Sequence, residues 1–127
     1  MRTRRSTVKF TANFEANLDI IHAFWAKSDY PQGYDRLLNE LGDTVIPNLE
    51  RFPAMGRPFM ARRAESIEAV FAQEKLQAQL AQLGDDSDIR EYLMDDYLVL
   101  YAIIDQTVYL LSVRHHKQLS FDFARLW

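Results

Sequence analysis

The sequence predicts an α+β domain in which helices pack on a largely antiparallel sheet. Three features support this prediction: an alternation of apolar and polar residues near the start, helical spacing of apolar residues through the middle, and three β-rich segments near the end. The chain has 127 residues, and domains of about 100–200 residues are usually built around one core. We therefore expect a single domain over residues 1–127, with one core and one site.

The composition is that of a folded protein in a reducing compartment. Hydrophobic residues make up 48% of the chain and aromatic residues 13%, enough to cover a sheet and to argue against intrinsic disorder. The absence of cysteine excludes disulfides, thiolate zinc sites and cysteine nucleophiles. The basic start lacks the apolar run of a secretion signal, and no segment has the ~18 apolar residues of a membrane span. We expect a cytoplasmic protein with no membrane partner.

The charges are unevenly distributed along the chain. The net charge is −3, yet residues 1–9 carry four positive charges and no acid, which leaves −7 for the rest. A general attraction to nucleic acid is therefore not supported, and phosphate binding would need a local basic patch. Two compact patches supply the candidate phosphate- or target-binding residues Arg57, Arg62, Arg63 and Lys117.

The N-terminal half has the pattern of a strand followed by a helical hairpin. Apolar residues alternate with polar ones over residues 8–14 and predict an edge strand. Helical spacing over residues 14–28, a short turn, and a second apolar stripe over residues 34–52 predict an αα-hairpin. Gly42 and Pro47 interrupt the second stripe, and an interior proline removes one hydrogen bond. We expect a kink or a break there.

The C-terminal half is richer in strands. Proline and glycine predict a loop at 53–58, and a helical pattern predicts a third helix at about 63–83. Three strands are then predicted, at 89–94, 97–104 and 107–114. The strand at 97–104 is apolar on both faces, which is typical of a central strand with material packed over both sides. The last two strands form a hairpin that leads into a basic cluster.

Two segments of the sequence resemble a known family of bacterial proteins. Tyr97–His116 contains a hydrophobic strand, a short acidic turn, a Val-Tyr-Leu-Leu strand and then Arg-His-His. Ile46–Pro53, with Gly56–Arg57 close behind, looks like the end of that family's helical hairpin and the loop after it. With the first strand, these segments resemble the RelE/ParE superfamily of toxins. Residues 59–88 lie outside the resemblance and look like a helical insertion.

The resemblance implies a toxin of a type II toxin–antitoxin pair, which arrests bacterial growth unless a cognate antitoxin binds it. RelE-like members cut messenger RNA on the ribosome, whereas ParE-like members block DNA gyrase without cutting RNA. A homodimer and a hetero-oligomer with the antitoxin are both open. The apolar tail could close the core or accept an antitoxin segment by strand addition, through Phe121, Phe123 and Trp127.

The nuclease alternative needs a proton donor and acceptor and a fixed cation near the scissile phosphate. By position, the resemblance implies His116, Arg114 and His115 as the candidate catalytic residues, and it implies neither a metal nor another cofactor. Adjacent strand residues point to opposite faces, so at most one of the two histidines can face a given site. Nuclease members also carry an arginine where this chain has Leu98.

Three functions therefore remain open from the sequence. Leu98 favours a non-catalytic inhibitor of the ParE kind, whereas the Arg-His-His cluster favours a ribosome-dependent and metal-independent ribonuclease. The sequence pI of about 5.6 favours an inactive or repurposed binding domain, because toxins of this superfamily are commonly basic.

Overall fold

The computed structural model describes residues 5–59, 78, 80–83, 87–117 and 121. Within this part of the chain the elements are β1 (Thr7–Phe10), α1 (Ala12–Ala26), α2 (Gly33–Glu40), a π-helical turn (Leu41–Val45), α3 (Ile46–Arg51), a 3₁₀ turn (Pro53–Met55), β2 (Arg57–Pro58), β3 (Asp88–Leu93), β4 (Tyr97–Ile104) and β5 (Thr107–His115). The described strands form one sheet in the order β1-β5-β4-β3-β2. Only the β1–β5 pairing among them is parallel. The predicted α+β class is confirmed.

The first strand is an edge strand, as predicted, but it ends at Phe10 rather than Phe14. The reason is Thr11, which is buried and caps α1: its hydroxyl oxygen accepts a hydrogen bond from the Phe14 amide at 3.2 Å. The same hydroxyl donates to the Leu110 carbonyl at 2.8 Å. The apolar alternation therefore continues past the strand into the first turn of a helix.

The predicted kink near Gly42 and Pro47 is a change of helical pitch. The π-helical turn joins α2 to α3, and the Ile46 amide donates to the Leu41 carbonyl five residues earlier. Pro47 then lies at the start of α3, where a missing amide proton is tolerated. The wider turn thus accommodates proline without ending the helical path.

The β-rich part follows the prediction with small shifts of its bounds. β4 has the predicted bounds, β3 begins and ends one residue early, and β5 extends to His115. The predicted loop at 53–58 is wrong in part, because residues 57 and 58 pair with β3 as a two-residue strand. The hairpin turn places Asp105 at a φ of 56°, a conformation that aspartate adopts more readily than most residues.

Both faces of the sheet are covered, as predicted for the central strand β4. On one face α1, α2, the π-helical turn and α3 pack against β3, β4 and β5, and the buried residues include Phe14, Leu37, Val45, Leu49, Val99, Tyr101 and Leu110. The opposite face carries a second cluster, here called the far-face cluster, which consists of Leu98, Leu100, Ala102 and Leu111 with Leu80 and Phe121 over them. Burying a large apolar side chain stabilises a domain by roughly 1.5–3 kcal/mol.

Most of the predicted third helix, and of the predicted insertion at 59–88, lies outside the described residues. Of the third helix the structure describes residue 78 and residues 80–83, where Leu80 is buried in the far-face cluster. No helix in the described ranges is long and apolar enough to cross a membrane.

Polar side chains of α1 cover the edge of β5 beyond the point where β1 ends. The last β1–β5 pair is Phe10 with Leu110. After it, the Asn13 amide donates to the Leu111 carbonyl at 3.0 Å, and the Asn17 carbonyl oxygen accepts from the Val113 amide at 3.1 Å. The helix therefore supplies hydrogen bonds that a neighbouring strand would otherwise make.

We expect Asn17→Ala to lower the free energy of unfolding by about 2 kcal/mol, because it removes the buried acceptor used by the Val113 amide and the Ser112 hydroxyl. Urea denaturation measures the loss. Asn39→Ala, on the exposed side of α2, is the matched control and should change stability by no more than about 0.5 kcal/mol. Equal effects of the two substitutions would contradict this role of Asn17.

Candidate functional site

The sequence-predicted site lies at the end of β5. Leu98 pairs with Arg114 and Tyr97 pairs with His115, so the basic cluster lies beside the first residues of β4. A β-bulge interrupts the hairpin, because Leu100 pairs with Ser112 while Tyr101 pairs with Leu110. The extra residue shifts the alternation of β5 by one position. The bulge therefore decides which face each member of the cluster occupies.

Arg114 lies on the far face and is 6% exposed. Its guanidinium carbon is 5.0 Å from the centroid of the Phe121 ring, within the range of a cation–π contact. Leu98, its pairing partner, belongs to the same apolar cluster. Arg114 is thus a buried cation that packs under an aromatic ring.

The two histidines do not share the far face with Arg114. The His115 ring contacts the Tyr97 ring edge-on, with centroids 5.5 Å apart, and its Nδ1 accepts from the Lys117 amide at 3.1 Å. His116 is exposed and turns toward the β3–β4 connection, where its amide donates to the Asp96 carbonyl at 3.2 Å and its Nε2 lies 3.3 Å from the Met94 carbonyl oxygen. The structure therefore does not bring Arg114 and either imidazole to one face of the sheet.

The other predicted site residues are also dispersed. The Arg57 Nε lies 3.3 Å from a carboxylate oxygen of Glu91, which is buried, while Lys117 is exposed after β5. Phe121 is 5% exposed, and its ring contacts that of Phe59 at a centroid distance of 6.3 Å. The predicted residues Arg62, Arg63, Phe123 and Trp127 lie outside the described residues.

Sequence reasoning missed the anchoring of the segment before β2. The fully buried Tyr101 donates its hydroxyl proton to the Pro53 carbonyl at 2.7 Å and accepts from the Gly56 amide at 2.9 Å. Arg90 donates to the Ala54 and Gly56 carbonyls at 3.0 and 2.7 Å. Burial raises the pKa of Tyr101, and the Gly56 amide and the Arg90 charge oppose that rise. A tyrosine inside an apolar strand was the available signal, because its buried hydroxyl needs a partner.

Sequence reasoning also missed a pocket between the helical hairpin and the β3–β4 turn. Its volume is about 550 Å³. The Trp25 indole N–H donates to the Tyr97 hydroxyl oxygen at 2.9 Å, and the Asp95 amide donates to a Glu40 carboxylate oxygen at 3.3 Å. The sequence marked a turn after α1 and another between β3 and β4, but residues 72 positions apart in the chain give no local signal that they meet.

Comparison with known proteins decides the family. No curated protein matches the sequence significantly. Residues 8–120 match the sequence profile described as "ParE toxin of type II toxin-antitoxin system, parDE". The chain belongs to the ParE toxin family. The predicted membership of the RelE/ParE superfamily is thereby confirmed.

Two solved structures align with most of this ParE family chain. A chromosomal ParDE toxin–antitoxin system from P. aeruginosa aligns with a TM-score of 0.55 at 12% identity, covering 89% of this chain and 98% of that one. The RelBE2 toxin–antitoxin complex from Mycobacterium tuberculosis aligns with a TM-score of 0.48 at 20% identity, covering 88% of this chain and 99% of that one. The alignment with the ParDE system shows that this ParE family chain shares that fold over 89% of its own length.

Proposed function

We propose that this ParE family chain arrests bacterial growth by binding DNA gyrase, that a cognate antitoxin neutralises it, and that it does not cut RNA. Family membership supports the toxin class. Both solved relatives are toxin–antitoxin systems, which supports an antitoxin partner. The choice of gyrase over ribosome-bound messenger RNA depends on the far face of the sheet.

The observation that carries this choice is the apolar far-face cluster. A nuclease of the RelE kind is expected to hold the RNA phosphate on the sheet, with an arginine at the position of Leu98. Here Leu98 is 2% exposed, Leu100, Ala102 and Leu111 are fully buried, and Leu80 and Phe121 pack over them. A phosphate placed there would lose its hydration without gaining matching donors. The far face of the sheet therefore suits apolar packing rather than phosphate binding.

The arrangement of the basic cluster supports the same choice. General acid–base cleavage by this cluster would need an imidazole and the guanidinium directed at one phosphate, within hydrogen-bond reach. Arg114 is on the far face, His115 contacts Tyr97 on the other, and His116 lies at the β3–β4 turn. Losing one fixed electrostatic partner typically slows such chemistry by ~10²-fold or more. A protein that acts by binding has no such requirement.

Induced expression with labelled precursors tests the proposal. We expect incorporation of thymidine to fall before that of uridine and amino acids, together with a DNA-damage response. The purified protein should inhibit gyrase supercoiling, and co-expression of the antitoxin encoded beside the toxin should restore growth. Early loss of protein synthesis with new messenger RNA ends at ribosomes would overturn the gyrase target, and an absent growth defect would overturn the toxin function.

The variant His116→Ala separates binding from cleavage. We expect it to arrest growth as strongly as the unmodified protein, because the exposed His116 ring contacts the Met94 carbonyl oxygen and the edge of the His115 ring rather than the core. Thymidine incorporation after induction, normalised to the amount of folded protein, is the readout. A His116→Ala protein that is well folded but harmless, while the unmodified protein cuts messenger RNA, would assign a catalytic role to His116 instead.

A further inference from the structure

The pocket between the helical hairpin and the β3–β4 turn lies on the helix-covered side of the sheet, away from the far-face cluster. It is lined by Trp25, Tyr30, Gly33, Arg36, Leu37, Asn39, Glu40, Thr44, Asp95, Asp96 and Tyr97. Its volume of about 550 Å³ is in the range of sites that hold a small molecule or a long side chain. None of the residues assigned to the proposed function lines it.

Three aromatic rings form one side of this pocket and are held in place. The Trp25 indole donates to the Tyr97 hydroxyl at 2.9 Å and meets the Tyr30 ring edge-on at a centroid distance of 6.1 Å. The Trp25 ring also lies directly on the backbone of Gly33, where a Cβ atom would overlap it. These contacts fix the orientation of Trp25, and a fixed ring loses little entropy when a ligand binds.

Acidic groups form the other side. Glu40, Asp95 and Asp96 line the pocket together with one cation, Arg36. The Asp95 amide binds the Glu40 carboxylate at 3.3 Å and so ties the turn to α2. The acidic and histidine side chains of the described ranges form no group of three that could hold a metal ion. Excess negative charge beside aromatic faces therefore suits an organic cation.

We propose that this pocket receives an arginine side chain from a protein partner. A guanidinium group is planar, so it stacks on an indole or phenol ring while its edge donates to carboxylates. Trp25 and Tyr30 supply the rings, and Asp95 and Asp96 supply the acceptors at the mouth, where both are exposed. A lysine ammonium cannot make the paired in-plane hydrogen bonds. This surface shares no residue with the far-face cluster.

A titration with short peptides tests the pocket. The probe is the capped peptide Gly-Gly-Arg-Gly-Gly, and the readout is the indole N–H resonance of Trp25 in the full-length ¹⁵N-labelled protein, assigned with Trp25→Phe. We expect saturable shifts with a dissociation constant on the order of 1 mM, at least about threefold weaker binding of the lysine peptide, and no saturable shift with the uncharged citrulline peptide. Equal shifts with the citrulline peptide, or no shift with the arginine peptide, would overturn the proposal.

Charge-neutral variants test the same pocket without changing its shape. The double variant Asp95→Asn with Asp96→Asn should weaken binding of the arginine peptide at least about tenfold, because it removes both charged acceptors at the mouth. Asp105→Asn is the matched control, since it lies at the turn between β4 and β5 and asparagine tolerates its positive φ. Unchanged binding in the double variant would overturn the proposal. Tighter binding of free L-arginine than of the peptide would also overturn it, in favour of a metabolite site.

Discussion

Leu98→Arg is expected to lower the free energy of unfolding by about 3–5 kcal/mol and to create no ribonuclease activity. The substitution introduces the arginine of the nuclease members into a position that is 2% exposed. Its neighbours are Leu100, Leu80 and Phe121, with Arg114 as the paired residue on β5. The new charge would lose hydration, find no carboxylate among these neighbours, and lie beside a like charge.

Urea denaturation and messenger-end mapping in a translation extract measure the two parts of this prediction. Leu98→Met is the matched control, because it preserves the apolar character and approximate volume and should cost less than about 1.5 kcal/mol. Since a domain is stable by only about 5–15 kcal/mol, cleavage is normalised to the folded fraction at low temperature. A Leu98→Arg protein that is as stable as the control and cuts messenger RNA would contradict the packed far face and the proposed gyrase target together.

Gly56→Ala is expected to destabilise the protein by about 3 kcal/mol, although alanine adopts the backbone conformation of Gly56 without strain. Gly56 has φ −70° and ψ 161°, an ordinary extended conformation. The destabilisation comes from steric overlap, because a Cβ atom would lie 2.5 Å from the Glu91 carbonyl oxygen and 2.5 Å from the Tyr101 hydroxyl. Relieving these overlaps would displace β2 from β3 and break the Gly56–Tyr101 hydrogen bond.

Gly42→Ala is the control and should change the free energy of unfolding in the opposite direction. Gly42 is exposed in the π-helical turn, and a Cβ atom there would meet nothing within 4 Å. Alanine restricts the unfolded chain more than glycine, so Gly42→Ala should stabilise by about 0.5–1 kcal/mol. Denaturation midpoints measured side by side test both. Effects of equal sign and size would show that backbone freedom, rather than the space around Gly56, determines the result.

The sequence predicted the β4–β5 hairpin well because its signal is local. Alternating and doubly apolar runs separated by Asp105–Gln106 define two strands and their turn. The bounds of β4 follow from this pattern alone. The end of the first strand was harder to predict, because the alternation from Val8 to Phe14 fits a longer strand. The helix cap formed by Thr11 depends on Leu110, a residue 99 positions away. A tertiary contact thus ended a strand that the local pattern would have continued.

In the candidate site, too, the sequence shows which residues are present, whereas tertiary contacts decide where they point. Leu98 and the Arg-His-His cluster were visible in the sequence, as was the rule that neighbouring strand residues face opposite ways. Which face each one takes was not visible, because the bulge between Leu100 and Tyr101 shifts β5 by one residue. Such a bulge depends on cross-strand pairing and packing, which leave little trace in a single strand. The pocket around Trp25 likewise depends on two turns that are distant in the chain.

The amino-acid sequence by itself determined the α+β class, the first strand, the helical hairpin, the three C-terminal strands and the membership of the toxin superfamily, because these depend on local periodicity and on the order of short sequence segments. The tertiary structure alone decided that Arg114 packs under Phe121 while His115 and His116 lie elsewhere, and that an acidic pocket with aromatic walls forms beside Trp25. The physical reason is that side-chain direction in a sheet depends on register, and register is fixed by contacts between residues far apart in the chain.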